Sequence, residues 1–483
     1  MSWLGASVIF YGLVGLLGGP TEGDASENVY STWSIAHGSL ACAYPHLATY
    51  HFDNLANPFA LTAPLYPLLT GGVSALLRIG HQVAFPSQSQ FGANCGHAFA
   101  AMFHWSAKSG AILPTVRLSY LMWPILMAGV IALVRASGRG RRVWEPMALL
   151  LVACTPTVLM CLTYFFHPED LLAMGLILAG VACSLRSRWF WAGVLLGLAC
   201  CAQQFAFLVG VPFLVIAPGR DRIRYVAGAI TAVAIIDIPL IVATSGRAIK
   251  TILLGSSRVG VINRSTGGTV LWETDYRGLP LFLLSRVAPI VASLVLAWWA
   301  SRRLGPRLLR PVPLVSLVAT SLAFRLVFEE NLFGYYFMAV SVALLILEVA
   351  KGRMRGTVFA WLAMVTVAFN PVHPGFFSNM TGHAIDLYYA LPIVVMAVVV
   401  ATVVFDAACR RVRVYKILWI VVAAFTCESK LWGLSHTVFA VPHWLWQVVL
   451  VPTALVLAAK PLFSAISSSE TTDSIEKSDL ATL

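Results

Sequence analysis

The sequence predicts an all-α polytopic membrane protein, and three observations support this class. The chain has 483 residues, of which 59% are hydrophobic and only 11% are charged, unlike an average globular domain. Apolar stretches recur along it, and about 20 helical residues are enough to cross about 30 Å of hydrocarbon. The segments between these stretches carry short clusters of arginine and lysine. Such a pattern is typical of a bundle of membrane-spanning helices.

The basic clusters predict the topology, because cytoplasmic loops carry an excess of lysine and arginine. More than half of the 33 basic residues lie in six clusters, at 135–142, 186–188, 220–224, 302–310, 351–355 and 410–416. If all six are inside, residues 20–114 form one exterior region. Within it, 61–80 is apolar but contains Pro64, Pro67 and the Gly71–Gly72 pair. We predict a re-entrant or interfacial element there, because a full span would place the basic cluster at 135–142 on the exterior side of the membrane.

The other apolar stretches predict the remaining spans. With a first helix over 2–19 they give about 14 spans, within a range of about 11–14: 115–134, 146–163, 171–185, 189–203, 205–218, 224–244, 281–300, 311–328, 333–349, 355–371, 386–404, 415–433 and 441–459. The sequence thus predicts one membrane-embedded domain over 1–462, with long exterior loops at about 20–114 and 245–280. The polar segment 463–483 has few aromatic residues and is predicted to be a disordered cytoplasmic tail.

Charge and motifs exclude several functions. The net charge of +12 is divided among short clusters beside hydrophobic segments, so we expect no nucleic-acid binding. No phosphate-binding loop, dinucleotide fingerprint, zinc-type histidine pair or serine-hydrolase elbow occurs, and no metal or cofactor is expected. Cys42 and Cys95 both lie in the first exterior region and form a candidate disulfide pair if that region faces an oxidising compartment.

The first loop carries three acids within six residues, Glu22, Asp24 and Glu27. Carboxylates are expensive near hydrocarbon, so acids just beyond a membrane segment are candidate functional residues. One of them could act as a general base if it lies within hydrogen-bond reach of an acceptor hydroxyl. The alternative is structural: Asp24 could cap a helix starting near Ala25, with Glu27 completing a capping box.

Other candidate binding residues lie in the later exterior segments. His167, Glu169 and Asp170 begin a helix, where acids are ordinary, but a histidine beside two acids could also bind a hydroxyl or a phosphate. Arginine binds phosphate well through paired hydrogen bonds, and the candidate arginines are Arg258, Arg264 and Arg325. The alternatives are solvated charge for the first two and an i,i+4 pair with Glu329 for Arg325. Asp237 is expected to form a helix–helix hydrogen bond.

Two segments carry a resemblance to a known family. After Asp24 the first loop continues with Tyr30, Trp33, His37, Gly38 and Tyr44, and Ala192–Ala199 reads "AGVLLGLA". On these motifs the chain resembles the GT-C integral-membrane glycosyltransferases, nearest to the actinobacterial polyprenol-phosphate-mannose-dependent mannosyltransferases. The Gln203–Gln204 pair departs from that pattern, since those enzymes often carry a lysine there.

The resemblance implies a GT-C-like bundle in the cell (plasma) membrane, with the large first exterior loop folded onto the membrane. It implies inverting transfer of a hexose, with mannose as the first candidate, from a polyprenyl-phosphate sugar donor to a glycan or glycolipid acceptor outside. Asp24 would be the general base, and arginine or histidine would stabilise the leaving phosphate. A lipid-linked donor also suits an outward site, because nucleotide sugars are cytoplasmic.

Two other classes remain open. A polytopic transporter or flippase for a lipid-linked or small polar substrate would place polar residues near the midplane, often on broken helices. Only Asp237 and the Gln203–Gln204 turn fit that pattern, whereas most acids are predicted at the outer edge. A catalytically silent partner in envelope synthesis is the third possibility.

Overall fold

The fold is almost wholly helical in the part of the chain that the computed structural model describes. That part comprises residues 2–17, 22–37, 49–50, 55–56, 64–78, 110–139, 142–163, 166–243, 287–329, 332, 334–354, 356–368 and 443–481. Within it, the non-helical regular structure is one antiparallel pairing of Thr49–Tyr50 with Leu55–Ala56. The predicted all-α class is confirmed.

The helices are numbered here in chain order: α1 Ser2–Leu17, α2 Glu22–Ala36, α3 Leu65–Leu77, α4 Ile112–Ser119, α5 Met122–Ala136, α6 Trp144–Ala153, α7 Pro156–Met160, α8 Pro168–Leu185, α9 Trp189–Ala202, α10 Phe207–Ile216, α11 Gly219–Ala243, α12 Ala288–Leu304, α13 Pro311–Phe328, α14 Met338–Lys351, α15 Gly356–Ala368 and α16 His443–Ala481. Short 3₁₀ turns lie at Gln204–Ala206, Gly305–Leu309 and Gly334–Phe337. The predicted spans at 386–404 and 415–433 lie outside the described residues.

Among the residues that the structure describes, five helical segments are long and apolar enough to cross a membrane: Ile112–Ala136, Pro168–Leu185, Pro311–Phe328, Gly334–Lys351 and Leu450–Ser469. Further apolar helices of 10–17 residues, such as α1 and α9, pack with them. The chain is therefore a multi-pass protein of the cell membrane, as its composition predicts.

Small residues allow the central helices to approach closely. A side chain at Gly175 of α8 would lie 2.7 Å from the backbone oxygen of Ile125 on α5. Gly193 and Gly197 of α9 face α11 in the same way, and a side chain at Gly197 would lie 2.9 Å from Ala229 O. Glycines four residues apart let two membrane helices pack backbone to backbone. The "AGVLLGLA" motif thus holds α9 against α11.

Helix α3 is too short to cross the bilayer, since its 13 residues span about 20 Å. It packs against α2 instead, where the hydroxyls of Thr32 and Thr70 lie 2.8 Å apart and Gly71 meets the backbone of Thr32. The hydroxyl of Tyr66 lies 2.6 Å from Ser119 Oγ on α4. This agrees with the re-entrant or interfacial element predicted over 61–80.

The bundle has two chemically distinct ends. Helices α8, α13 and α14 each carry basic residues at one end and the acidic or aromatic residues of the later exterior segments at the other. The basic ends meet directly: Arg139 donates from Nε to Ala350 O at 2.9 Å, and Arg186 donates to Ala132 O at 3.5 Å. The clusters at 135–142, 186–188 and 351–355 therefore share one end, as the predicted topology requires.

The last helix differs from the expectation for the C-terminus. Helix α16 continues to Ala481, so the segment 463–483, predicted as a disordered tail, is helical through most of its length. Leu462, Ile466 and Ser469 are buried on this helix, and Leu462 N donates to Ser316 Oγ of α13 at 3.1 Å. The first turns of this segment therefore pack against the bundle, although its composition favours disorder.

Candidate functional site

A polar cluster lies at the end of the bundle opposite the basic residues. It forms where α8 begins, where α9 and α13 end, and where the 3₁₀ turn before α14 starts, with α2 packed against it. Sequence sets each of these boundaries. Pro168 occupies the first turn of α8, the extended residue Gln203 ends α9, and the extended residue Glu329 ends α13.

His167 and Glu169 form the exposed side of this cluster. His167 Nδ1 lies 2.8 Å from Glu169 Oε1, and the imidazole stacks on Tyr335 with ring centroids 3.9 Å apart and planes 16° from parallel. Tyr335 in turn meets Tyr336 edge to face at 4.4 Å. A ring fixed by a carboxylate on one nitrogen and by an aromatic face has a defined orientation, which a binding or proton-transferring histidine requires.

Asn28 connects helix α2 to this histidine pair. Its Nδ2 donates to Glu169 Oε2 at 3.2 Å and to the backbone oxygen of Phe166 at 3.3 Å. Asn28 lies four residues after Asp24, and residues four apart share a face of a helix. The helix that carries the three candidate acids is therefore fixed at the cluster through Asn28.

The hydroxyl of Tyr30 on α2 is buried. Burial raises the pKa of Tyr30. A tyrosine in this environment stays protonated at neutral pH and is a poor candidate for a general base.

Asp170 is the most deeply buried member of the cluster, with 0% exposure. Gln203, at the break between α9 and the following 3₁₀ turn, donates from Nε2 to Asp170 Oδ1 at 2.8 Å. The same Gln203 side chain accepts from the backbone N–H of Gln204 at 2.9 Å, so the amide is held at both ends. Among the described residues, Oδ2 of Asp170 has no hydrogen-bond partner.

Arg325 provides the cation of the site. Its Nε donates to Glu329 Oε2 at 3.3 Å, and its guanidinium lies over the ring of Tyr336 at 4.2 Å and over that of Phe205 at 5.1 Å. Within the described part of the chain, the buried Nη1 atom has no hydrogen-bond partner. The pair with Glu329 therefore exists as the spacing suggests, but it leaves a donor of the guanidinium unused.

Two unsatisfied groups of opposite character thus lie in one site. A buried polar atom without a partner is unfavourable by about 1–3 kcal/mol, so such atoms are rare unless a ligand or water completes them. Gln203 holds Asp170, and the ring of Phe205, two residues further on, lies under the Arg325 guanidinium, so Asp170 and Arg325 lie at the same helix break. Arg325 and His167 both act electrostatically on Asp170. The site can therefore accept a group that offers an anionic oxygen to Arg325 and a donor to Asp170.

The structure brings together five of the predicted site residues: His167, Glu169, Asp170, Arg325 and Glu329. Glu22, Asp24 and Glu27 lie on α2, but their side chains are outside the described residues, as are Arg258, Arg264 and the Cys42–Cys95 pair. Helix α2 begins at Glu22, so Asp24 is its third residue and does not occupy the N-cap position that the structural alternative required.

Sequence reasoning missed four contributors: Asn28, Gln203, Tyr335 and Tyr336. The spacing of Asn28 from Asp24 was a usable signal, since it places both on one helix face. The helix break at Gln203 was anticipated, but its link to Asp170 joins residues 33 positions apart. The tyrosines follow Glu329 in "ENLFGYY", a segment whose aromatic character could have suggested a ligand-facing surface.

Asp237 lies apart from this cluster, on α11. It is 4% exposed, and among the described residues its Oδ1 atom has no hydrogen-bond partner. The helix–helix hydrogen bond expected for it is thus not seen at that oxygen.

Among the described residues, no three histidine, cysteine, aspartate or glutamate side chains are arranged so that they could hold a metal ion.

Comparison with known proteins gives a family-level result for part of the chain. Residues 111–328 match the model of glycosyltransferase family 87, a family of GT-C type. The match covers fewer than half of the 483 residues, but it contains His167, Asp170 and Arg325. It supports a membrane glycosyltransferase and the predicted resemblance at the GT-C level, whereas the narrower likeness to mannosyltransferases has no such support.

A solved structure is also similar, at a greater distance. ArnT from Cupriavidus metallidurans bound to undecaprenyl phosphate is 15% identical, with 96% of this chain and 75% of that chain covered and a TM-score of 0.42. A likeness at this level assigns no residue of the site. Among curated proteins, no sequence matches the chain.

Proposed function

We propose that this protein is a membrane glycosyltransferase that transfers a hexose, with mannose as the first candidate, from a polyprenyl-phosphate-linked donor to a glycan or glycolipid acceptor. Transfer takes place at the exterior membrane face and inverts the anomeric centre. The observation that carries the proposal is the free donor of Arg325, inside the segment that matches a glycosyltransferase family.

Arg325 binds the donor phosphate in this proposal. Its guanidinium is fixed by Glu329 and by two aromatic rings, and no described residue pairs with Nη1, which can donate to a phosphate oxygen. Charge-assisted hydrogen bonds of this kind are about twice as strong as neutral ones. A cation already in position also stabilises the charge that collects on the phosphate as the glycosidic bond breaks.

Asp24 is the general base of this proposal. Of the three acids on α2, it is the one that shares a helix face with Asn28, and Asn28 contacts Glu169 at the cluster. By the same spacing, Glu22 and Glu27 lie on other faces of this helix. We assign the role of base to Asp24 because helical spacing puts it, rather than Glu22 or Glu27, on the face that carries Asn28.

The reaction is a single displacement at the anomeric carbon. An acceptor hydroxyl oxygen forms the new bond to this carbon, and its proton passes to Asp24. The bond from the anomeric carbon to the phosphate oxygen breaks, and its electron pair leaves with the polyprenyl phosphate. Attack on the face opposite the leaving group gives inversion. His167, held by Glu169 and Tyr335, assists Arg325 at the phosphate.

The transporter alternative rests on the helix break at Gln203 and on Asp237, polar features of the kind that transporters place at a midplane site. Here the broken segment donates to Asp170 in the first turn of α8, at the end of the bundle where the other site residues lie. The break is thus accounted for by the proposed transferase site.

The test measures incorporation of radiolabelled sugar from polyprenyl-phosphate donors into membrane acceptors. We expect wild type to transfer sugar and Arg325→Gln to lose most of that activity. Glu145→Gln is the matched control, because Glu145 is a largely buried acid paired with Arg135 at the opposite end of the bundle. Absence of transfer by wild type with every polyprenyl-phosphate sugar supplied would refute the proposal and favour a transporter.

A further inference from the structure

The environment of Asp170 carries an inference beyond transfer itself. The carboxylate is fully buried, its Oδ1 is fixed by Gln203, and Oδ2 has no hydrogen-bond partner among the described residues. An ionised carboxylate only accepts hydrogen bonds, so a ligand group that bonds to Oδ2 must be a donor. Arg325 Nη1 only donates, so a ligand group that bonds to this atom must be an acceptor.

We infer that Asp170 and Gln203 form a sugar-hydroxyl subsite, in which the free oxygen of Asp170 accepts a hydrogen bond from a hydroxyl group of the transferred hexose. The inference rests on the proposed function and names the specificity-determining residue of that site. One ligand that offers both an anionic oxygen and a hydroxyl donor, a sugar phosphate, satisfies the two free groups at once.

Two features argue that Asp170 is arranged for a ligand. Asp170 interacts electrostatically with Arg325 and His167, yet Oδ2 forms no hydrogen bond with either in the structure. The charges are thus near each other without closing into a direct ion pair at that oxygen. Gln203 is also held by the backbone N–H of Gln204, so the amide that orients Asp170 is itself oriented before any ligand arrives.

Recognition by a buried acceptor is strongly selective. A site built to bond a substrate hydroxyl discriminates against the analogue that lacks it, because the buried acceptor is then left without a partner. Asp170→Asn is the informative change. The amide oxygen can still accept from Gln203, whereas an NH₂ group replaces the free oxygen and cannot accept from a hydroxyl.

The experiment uses the full chain in lipid nanodiscs and measures dissociation constants for two kinds of probe. One is bare undecaprenyl phosphate, and the other is a panel of undecaprenyl-phosphate sugars bearing mannose, glucose, galactose or arabinose. We expect wild type to bind at least one sugar-bearing lipid more tightly than the bare lipid. Asp170→Asn should raise the dissociation constant for that sugar-bearing lipid by about 10- to 100-fold, the effect of losing one charge-assisted hydrogen bond.

The bare lipid provides the readout that a structural role would not produce. Because Asp170→Asn removes a negative charge near the phosphate, bare undecaprenyl phosphate should bind that variant as tightly as wild type or more tightly. Arg325→Gln should weaken the binding of both lipids, and Glu145→Gln should leave both dissociation constants unchanged. If Asp170→Asn weakened the binding of both lipids equally, Asp170 would only support the fold, and the inference would be overturned.

Wild-type protein gives a second test that needs no variant. In a series of monodeoxy analogues of the preferred sugar lipid, one analogue should bind wild type at least about tenfold more weakly than its parent. Equal binding of all analogues would overturn the subsite. Failure of the proposed function is a different result, since neither bare nor sugar-bearing lipid would then bind wild type.

Discussion

Asn28 and Glu169 are 141 positions apart, yet the side-chain amide of Asn28 lies 3.2 Å from Glu169 Oε2. This bond joins α2, the helix of the candidate catalytic acids, to the start of α8. Glu169 also holds His167 at 2.8 Å, so one carboxylate fixes both the position of α2 and the orientation of the histidine. The acid-bearing helix and the donor site are thereby coupled through two adjacent hydrogen bonds.

The first prediction concerns this bond. Asn28→Asp places a second carboxylate against Glu169, so we expect repulsion, displacement of α2 and loss of sugar transfer. The double variant Asn28→Asp with Glu169→Gln exchanges the amide and the carboxylate across the same contact and should recover much of the activity. Transfer assays on the two single variants and the exchange variant check this. A double variant less active than both singles would contradict the docking role.

The second prediction concerns Asp24. A general base contributes about 10²–10⁴-fold in rate, so Asp24→Asn should lower transfer by at least about 100-fold while expression and folding persist. Glu27→Gln and Glu22→Gln are the matched controls on the same helix, and milder effects are expected from both. Initial rates of radiolabelled transfer provide the measurement. Near-normal transfer by Asp24→Asn would eliminate it as the base and leave Glu22 as the next candidate.

The third prediction concerns the ring that supports Arg325. Tyr336→Leu removes the aromatic face 4.2 Å from the guanidinium, and a cation–π contact of about 0.5–2 kcal/mol corresponds to about 2- to 30-fold weaker donor binding. Trp298→Leu is the matched control, since it removes a similar contact with Arg302 at 5.7 Å at the basic end. Titration of a polyprenyl-phosphate donor checks both. Equal effects of the two variants would argue against a role for Tyr336 in positioning Arg325.

The fourth prediction concerns helix packing. Gly197→Leu forces a side chain against α11, where even a Cβ atom would lie 2.9 Å from Ala229 O. Overpacking of this kind typically lowers the free energy of unfolding by about 1–3 kcal/mol, so the melting temperature should fall. Gly12→Leu on α1 is the control, because a Cβ atom there meets no heavy atom within 4 Å. Size-exclusion chromatography after graded heating measures the difference, and equal stability of both variants would contradict the packing role.

The fifth prediction concerns topology. Ser137 lies at the basic end of α5, so Ser137→Cys should react with an impermeant maleimide only after the membrane is permeabilised. Ser89→Cys, in the predicted first exterior region, should react in intact cells. Wild type corrects for labelling of native thiols. The reverse labelling pattern would invert the topology and place the site inside.

Several features could be read from the sequence because they depend on local composition. Hydrophobic length predicts membrane helices wherever it occurs, and the basic clusters predict which helix ends lie together. Pro168 and the acids after it predict the start of α8, and the i,i+4 spacing predicts the pair of Arg325 with Glu329. The last two depend on residues within one or two helical turns of each other, and the first two depend on the composition of single segments.

Composition was a poorer guide where packing decided the outcome. The segment 463–483 is polar enough to predict disorder, yet α16 runs through most of it, and Ile466 and Ser469 in its first two turns are buried. The N-cap position considered for Asp24 does not match the observed start of its helix. Helix α2 begins at Glu22, and the contacts of Asn28 and Thr32 with α8 and α3 hold it in place.

Hydrophobic length and basic clusters are enough to identify a multi-pass helical membrane protein, and the exterior acids, histidine and arginines are recognisable as candidates in the linear chain. The packing of the helices is needed to see that Asp170 and Arg325 belong to one site, that Gln203 holds Asp170, and that Asn28 brings α2 to it. The cause is distance along the chain. Helix formation follows from neighbours in sequence, whereas a site at the ends of several helices depends on how glycine-lined faces pack, and no local pattern encodes that register.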